Sequence, residues 1–158
     1  MGQLMRLQSA EADDLWRAHG GDLLRFAALL VGPNDADDIA VEAFLGACRS
    51  AIGPNVLDSR SYLLGAVANH AASFRRSRER RWRRDLAAVG PASTTTTDEF
   101  PDVRHAVARL TVSQRCVVYF SFWEDMPERA IAELLGLSPG TVHRNLFRAK
   151  VILRKALQ

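Results

Sequence analysis

The sequence of 158 residues predicts an all-α protein made of two small helical domains joined by a flexible linker. Apolar residues recur every three to four positions along most of the chain and nowhere alternate over a useful length, which favours helices over strands. One segment runs from a Gly-Pro pair to a later proline through four consecutive threonines and has no amphipathic pattern. We therefore expect domains at residues 1–89 and 102–158, with the linker at 90–101.

The first domain begins with two predicted helices separated by a strong breaker. The apolar stripe of the first helix stops at the Gly-Pro pair at 32–33, because proline lacks the backbone donor that a continuing helix needs. Asn34 or Asp35 is expected to cap the second helix, which continues to about Ser50. The acidic residues at its start match the positive end of the helix dipole.

The third predicted helix ends in an arginine-rich segment. It begins at Asp58 or Ser59 and continues through apolar positions into residues 75–85, which hold seven arginines and two acidic residues. Charges of one sign this close repel each other unless a polyanion neutralises them, so the segment favours nucleic-acid binding. The alternative is a solvated charged face, which normally mixes both signs.

Four helices are predicted in the second domain. They cover residues 102–111, 114–123, 128–135 and 139–157. We expect the first of them to bury Val103 and the second to be capped by Ser113.

The last two of these helices are predicted to form a helix-turn-helix motif. Gly136 occupies the C-cap position of one helix, and Ser138-Pro139 supplies an N-cap and a first-turn proline for the next. The last helix has one apolar face and an opposite polar and basic face, a pattern that fits the major groove of DNA. Free backbone amides after Ser138 are suited to a phosphate. The alternative is a basic solvent face on an ordinary helical hairpin.

Charge is distributed unevenly along the chain. Residues 1–50 hold eight acidic and four basic side chains, whereas residues 102–158 hold nine basic and five acidic ones. Asp35, Asp38 and Glu42 fall on one face of the second helix. Such a face suits docking to a basic protein partner, although matching to the helix dipole is the alternative explanation. One helix face does not usually converge on a metal ion, so we expect no metal site.

Several function classes have little support. No apolar run is long enough to cross a bilayer, and the first residues lack the basic stretch and apolar core of a signal peptide, so we expect a soluble cytoplasmic protein. Cys48 and Cys116 form neither a disulfide framework nor a zinc site and are expected to be packing residues. No phosphate-binding loop, nucleophile elbow or zinc-protease motif is present. We expect no enzyme and no cofactor, and a thiol-dependent hydrolase or redox protein is a remote rival.

Five short motifs, taken together, resemble those of bacterial RNA polymerase sigma factors of the extracytoplasmic-function (ECF) class, in the sigma-70 family. They are Asp35-Ala36-Asp37-Asp38, Glu42-Ala43-Phe44-Leu45, Ser61-Tyr62-Leu63, Ser113-Gln114-Arg115 and Trp123-Glu124-Asp125. The resemblance extends from about residue 11 to residue 157. It implies that the first domain is sigma region 2 and the second is sigma region 4.

The resemblance implies a role for three surfaces. A sigma factor binds core RNA polymerase, and the docking residues on the clamp helices of its largest subunit would be Asp35, Asp38, Glu42 and Leu45. Contacts to the minus-ten promoter element would come from Asn55, Asp58, Ser59, Arg60, Asn69, Arg75 and Arg76. Contacts to the minus-thirty-five element would come from Ser138, Thr141, His143, Arg144 and Arg148. The apolar helix before the helix-turn-helix would meet the flap of the second-largest subunit.

The resemblance also implies regulation by an anti-sigma factor that holds the two domains. The sequence departs from the family at Leu64 and Gly65, where basic residues are common, and at Pro127, where a serine or threonine usually caps the helix. We expect Asp125 to supply that cap instead. A stand-alone helix-turn-helix regulator that binds DNA without polymerase is the alternative function.

Overall fold

The computed structural model describes residues 9–50, 58–84 and 101–158, and every regular element in these ranges is a helix. The helices are α1 (Ser9–Val31), α2 (Pro33–Arg49), α3 (Ser59–Arg84), α4 (Pro101–Ala108), α5 (Val112–Phe122), α6 (Glu128–Leu135) and α7 (Pro139–Ala156). The predicted all-α fold is confirmed. Asn55 and all of the predicted linker except its last residue lie outside the described residues.

The first three helices form the N-terminal half, which has an apolar core. Leu23, Phe26 and Leu30 on α1 are almost completely buried, as are Ile39 on α2 and Leu63 on α3. Their spacing of three and four residues on each helix is the pattern from which the helices were predicted.

The start of α2 differs from the prediction. The N-cap is Gly32, which has a φ of 91° and makes no side-chain capping bond, so the expectation of Asn34 or Asp35 as the cap was wrong. Proline at the first helical position has its φ already set for the helix and loses no bond, and the positive φ before it suits a glycine. Helix α3 begins at Ser59, one of the two predicted starts, and Asp58 precedes it as a cap whose Oδ1 accepts a hydrogen bond from the backbone N–H of Ser61 at 3.2 Å.

The C-terminal half, α4 to α7, also departs from the prediction at its first two helices. Thr111, not Ser113, caps α5: its hydroxyl accepts from the backbone N–H of Gln114, and the Gln114 side chain accepts from the N–H of Thr111. This reciprocal pair satisfies two backbone donors, whereas a cap at Ser113 would satisfy one. Val103 on α4 is 45% exposed, so its predicted burial was wrong.

The helix-turn-helix has the predicted caps. Gly136 ends α6 in the left-handed conformation, with a φ of 63°, and the Ser138 hydroxyl accepts from the backbone N–H of Thr141 at 3.2 Å. The N-cap of α6 is Pro127 without any side-chain capping bond, so the expectation that Asp125 supplies it was wrong. Asp125 itself has a positive φ of 49°.

The two halves pack directly against each other. The ring of Phe26 on α1 lies 4.4 Å from that of Tyr119 and 5.5 Å from that of Phe120, both on α5. Buried residues of both halves belong to one continuous apolar core. The molecule described here is therefore closed, with α5 and α6 lying on α1 and α3.

Candidate nucleic-acid and partner interfaces

Helix α7 buries one face and presents the other to solvent. Val142, Leu146 and Ala149 are buried against the C-terminal half. His143, Arg144 and Arg148 are exposed, and Thr141 is half-buried. Four of the five residues predicted to contact the minus-thirty-five element thus lie on the outward side of one helix, and Ser138 lies at its N-terminus.

The start of α7 is ordered by hydrogen bonds among polar side chains. The hydroxyls of Ser138 and Thr141 are 2.8 Å apart, and Nη2 of Arg144 donates to Oγ1 of Thr141 at 3.4 Å. Nδ1 of His143 lies 3.2 Å from both carboxylate oxygens of Glu128, the first residue of α6. Four of the predicted contact residues are therefore held by hydrogen bonds in two separate groups: Ser138, Thr141 and Arg144 in one, and His143 with Glu128 in the other.

Helix α3 carries a second exposed polar and basic surface. Asn69 and Arg76 are two turns apart and share a face, and Arg75 lies beside them; all three are exposed. A groove of about 600 Å³ borders this surface and is lined by three arginines and one carboxylate, Glu79, of α3 and by Thr111 and Ser113 at the start of α5. Guanidinium groups and the amino end of a helix both favour anions.

The outward face of α2 combines carboxylates with apolar side chains. Asp38 and Glu42 are exposed, and Leu45 is 49% exposed one turn further along. Val41, which the sequence reasoning did not select, lies on the same face and is 41% exposed. Val41 lies three residues after Asp38 and four before Leu45, and this helical spacing could have placed it on the same face from the sequence alone.

Asp35 has a partner within the protein. Its Oδ2 accepts a hydrogen bond from Nη1 of Arg78 at 2.7 Å, which ties the start of α2 to α3. Sequence reasoning assigned Asp35 to polymerase docking. It could not identify Arg78 as the partner of Asp35, because the two residues are far apart in the chain. The structure therefore separates Asp35 from the freely exposed residues of α2.

The two thiols are packing groups in this structure. Cys116 is 3% exposed, and burial raises the pKa of its thiol to about 12; burial also raises the pKa of the Cys48 thiol. A reactive cysteine needs a lowered pKa and access to solvent. Within the described ranges, no group of three or more His, Cys, Asp or Glu residues is arranged to hold a metal ion, and no helix is long and apolar enough to cross a membrane.

Comparison with protein families decides the identity of the C-terminal half. Residues 101–153 match the family model described as Sigma-70, region 4. Over these residues the C-terminal half is similar to sigma-70 region 4, and this half is called region 4 below. No curated protein matches the chain in sequence. The sequence resemblance to the sigma-70 family is thus confirmed over region 4.

Two solved structures have the same fold over nearly the whole chain. The sigma factor RpoE from Bartonella quintana, in complex with the anti-sigma factor NepR, has a TM-score of 0.71 and 20% identity, with 92% of this chain and 95% of that chain covered. CnrH, in complex with the cytosolic domain of CnrY, has a TM-score of 0.63 and 21% identity, with 98% and 92% covered. The N-terminal half therefore shares the sigma-factor fold together with region 4.

The contact between region 4 and the N-terminal half engages one predicted DNA-binding residue. Nε of Arg60 on α3 donates to Oδ2 of Asp22 on α1 at 2.8 Å, and its Nη1 donates to Glu124 at the end of α5. These hydrogen bonds raise the pKa of Arg60, and those from Arg60 and Arg25 lower the pKa of Asp22. Arg60 is thus neutralised by two carboxylates, one from each half.

The departure at Gly65 is explained by the same contact, and the departure at Leu64 by burial in the apolar core. Leu64 is fully buried. A Cβ atom at Gly65 would lie 2.7 Å from Cδ1 of Leu134 on α6, so a larger residue at this position requires the Leu134 side chain to move. The surface that is commonly basic in the family is apolar here, and Leu134 of region 4 packs against it at Gly65.

Arg115 joins the ends of two helices across the contact. Its guanidinium donates to the backbone oxygens of Val107 at 3.1 Å and Ala108 at 3.0 Å, near the end of α4. It also donates to those of Leu29 at 3.2 Å and Leu30 at 2.9 Å, near the end of α1. Helix ends leave carbonyls without intrahelical partners, and Arg115 bonds to four such oxygens, of which that of Val107 also accepts from the backbone N–H of Leu110.

Proposed function

We propose that this chain is an ECF-class sigma factor, which binds core RNA polymerase and directs it to specific promoters. The observation that carries the proposal is the exposed basic face of α7 in a sigma-70 region 4 domain. A sigma-factor fold over 92% of the chain supports it. Polymerase supplies the catalysis, and the sigma factor supplies promoter recognition.

The minus-thirty-five element is read by α7. A recognition helix contacts base edges in the major groove through its N-terminal residues, which here include Thr141, His143 and Arg144. Arg148, one turn further along, reaches the phosphate backbone. Pro139 has no N–H and the N–H of Thr141 is bonded to Ser138, so the N–H of Gly140 is the first amide of α7 suited to a phosphate.

The minus-ten element is contacted by the start and exposed face of α3. Asn69, Arg75 and Arg76 are suited to the duplex and its backbone, and the segment before α3 is suited to a base taken out of the stack. Among the residues assigned here, Asp58 caps α3 through Ser61, and Arg60 is bonded to Asp22 and Glu124 across the contact between the halves. Their assignment therefore requires those bonds to be exchanged for contacts with DNA.

Simultaneous recognition of both elements requires the closed molecule to open. Elements centred about 25 base pairs apart are separated by about 85 Å, at about 3.4 Å per pair. A compact chain of this length has a radius of gyration of about 15 Å. Core polymerase therefore binds the open form, in which region 4 is no longer packed against α3.

Core polymerase is bound by the exposed face of α2, through Asp38, Val41, Glu42 and Leu45. Carboxylates around apolar side chains provide both steering and buried contact area for a basic helical partner. An anti-sigma factor is the expected regulator, because the sigma factor RpoE, which has the same fold, is in complex with one. Such a regulator stabilises the closed form or covers the α2 face.

The proposal is tested by transcription in vitro with bacterial core polymerase, genomic promoter fragments and the full chain. We expect specific start sites that appear only when the chain is added. Reversing the charge of two exposed acids, Asp38→Lys with Glu42→Lys, should abolish them by removing docking. The matched control reverses Asp13 and Asp14, exposed acids on α1, and should leave transcription unchanged.

Two outcomes would contradict the proposal. Core polymerase that ignores the chain, while the chain alone shifts a defined DNA duplex, would indicate the stand-alone regulator. Equal loss in the α2 variant and the α1 control would show that overall charge, and not the α2 face, sets the activity.

A further inference from the structure

Glu128 and His143 form a hydrogen-bonded pair that joins the first helix of the helix-turn-helix to the outward face of α7. Glu128 is the first residue of α6, where the helix dipole favours a carboxylate, and its N-cap provides no side-chain bond. His143 lies in the second turn of α7, and its side chain is 69% exposed. The pair therefore joins a carboxylate held at a helix start to a side chain positioned for DNA.

The chemistry of the pair determines which nitrogen faces outward. A carboxylate offers only acceptors, so Nδ1 of His143 must carry the hydrogen that it shares with Glu128. The ring is then held with Nε2 directed away from Glu128. In the described part of the chain Nε2 has no hydrogen-bond partner, so it is free to bond to a base edge or a phosphate.

We propose that Glu128 is a positioning residue for His143 and thereby sets the base preference at one position of the minus-thirty-five element. The inference rests on the proposed function and concerns its specificity. Without Glu128 the imidazole can rotate and exchange its donor and acceptor nitrogens, and each arrangement accepts a different base. With Glu128 one arrangement is selected before DNA binds, which removes the entropic cost of ordering the ring on binding.

The experiment measures transcription by core polymerase and the full chain from a promoter library randomised across the minus-thirty-five element. We expect His143→Ala to relax discrimination at one base pair by about fivefold, the value of one hydrogen bond of about 1 kcal/mol. Glu128→Ala should relax discrimination at the same base pair. The double variant should have the profile of His143→Ala, because the effect of Glu128 passes through His143.

A conservative variant separates positioning from charge. The amide oxygen of Glu128→Gln still accepts from Nδ1, so this variant should retain the base preference that Glu128→Ala loses. The control is Arg129→Ala, the next residue of α6, which is exposed and faces Glu133. It should leave the preference unchanged.

The outcomes distinguish this inference from the proposed function. A wild-type chain that directs no specific transcription would overturn the proposed function. A wild-type chain that does so, with Glu128→Ala changing transcription equally from all library members, would overturn only the inference, because uniform loss or gain indicates a phosphate-level or structural effect. Loss of preference in Glu128→Gln equal to that in Glu128→Ala would also overturn it.

Discussion

The contacts within the N-terminal half and the contact between the two halves are built differently. Within the N-terminal half, α1, α2 and α3 meet through fully buried aliphatic and aromatic side chains such as Leu23 and Leu63. Between the halves, an apolar centre around Phe26 and Phe120 is bordered by two guanidinium groups, those of Arg60 and Arg115. When a contact opens, water solvates its charged groups again, which offsets part of the free energy lost. The exposure of apolar groups to water has no such compensation.

The difference predicts that the two kinds of contact separate at different free energies. Separating α1, α2 and α3 would expose the apolar side chains of their core to water, which is unfavourable. We therefore expect this half to unfold as a unit. Contacts between domains that include polar groups resemble transient interfaces, and relative motion is their default behaviour. The closed molecule is therefore able to open while each half stays folded.

The largest expected effect comes from the core of the N-terminal half. Leu63→Ala should lower the free energy of unfolding by about 2–5 kcal/mol, since a fully buried leucine leaves a cavity when it is truncated. Chemical denaturation followed by helical circular dichroism measures the loss. The control Leu157→Ala, at an exposed position, should change it by less than about 0.5 kcal/mol. A loss below 1 kcal/mol at Leu63 would contradict this account of the core.

A larger side chain at Gly65 should separate the halves without unfolding them. Leucine there collides with Leu134, but it has a higher helix propensity than glycine, so α3 itself is not weakened. We expect Gly65→Leu to increase the radius of gyration measured by X-ray scattering, with an unchanged circular dichroism spectrum. Gly140→Leu, where a side chain meets nothing within 4 Å, is the matched control.

A compensating change sharpens this test. Adding Leu134→Ala to Gly65→Leu makes room on α6 and should restore the closed form. If Gly65→Leu remains closed, or if the double variant stays open, the close approach of α6 to α3 does not hold the halves together.

Removing the guanidinium of Arg60 should weaken closure more modestly. Arg60→Met keeps the apolar stem but leaves Asp22 and Glu124 without their shared partner, at a cost of about 1 kcal/mol for a pair this exposed. Energy transfer between dyes on the two halves should report a larger open population. Arg17→Met removes an exposed pair within α1 and should leave the population unchanged. Equal populations in all three proteins would assign closure to the apolar centre alone.

The smallest expected effect is that of pH on the same ion pairs. Because Arg60 and Arg25 lower the pKa of Asp22 below its ordinary value of 3.8, the stabilisation from Asp22 is present above that value and is lost as the pH falls through the lower one. The open population of dye-labelled protein should therefore differ between Asp22→Asn and the wild type by an amount that stays constant between about pH 5 and 8. Asp22→Asn removes the charge at every pH. If the difference between the variant and the wild type changes within that range, the sign of this linkage is wrong.

Much of the fold could be predicted because its signals are local. The periodicity of α3 and the caps at Gly136 and Ser138 lie within one or two turns of the residues they affect. Two helix starts were missed because several polar residues compete for one cap. At α5 the reciprocal bonds between Thr111 and Gln114 decided the competition, and at α2 the conformations available to glycine and proline decided it.

The closed contact could not be predicted because its partners are far apart in sequence. Arg60 was expected at DNA, and nothing in its neighbourhood indicates Glu124 as a partner. Leu64 and Gly65 stood out only as departures from a basic pattern, without any sign of what covers them. The composition of the linker at 90–101 indicated where one domain ends and the next begins, but not whether the two domains are in contact. The assignments on α7 were simpler, because amphipathicity alone separates its buried from its exposed residues.

The close approach at Gly65 also constrains how this protein can evolve. A Cβ atom at position 65 would lie 2.7 Å from Cδ1 of Leu134, so a larger residue there displaces the Leu134 side chain from its present position. A descendant that acquires a basic residue at position 65, and with it a stronger hold on DNA, must accept a smaller residue at position 134 or a looser resting state. The two positions should therefore change together among descendants that keep the closed form, and independently among those that have lost it.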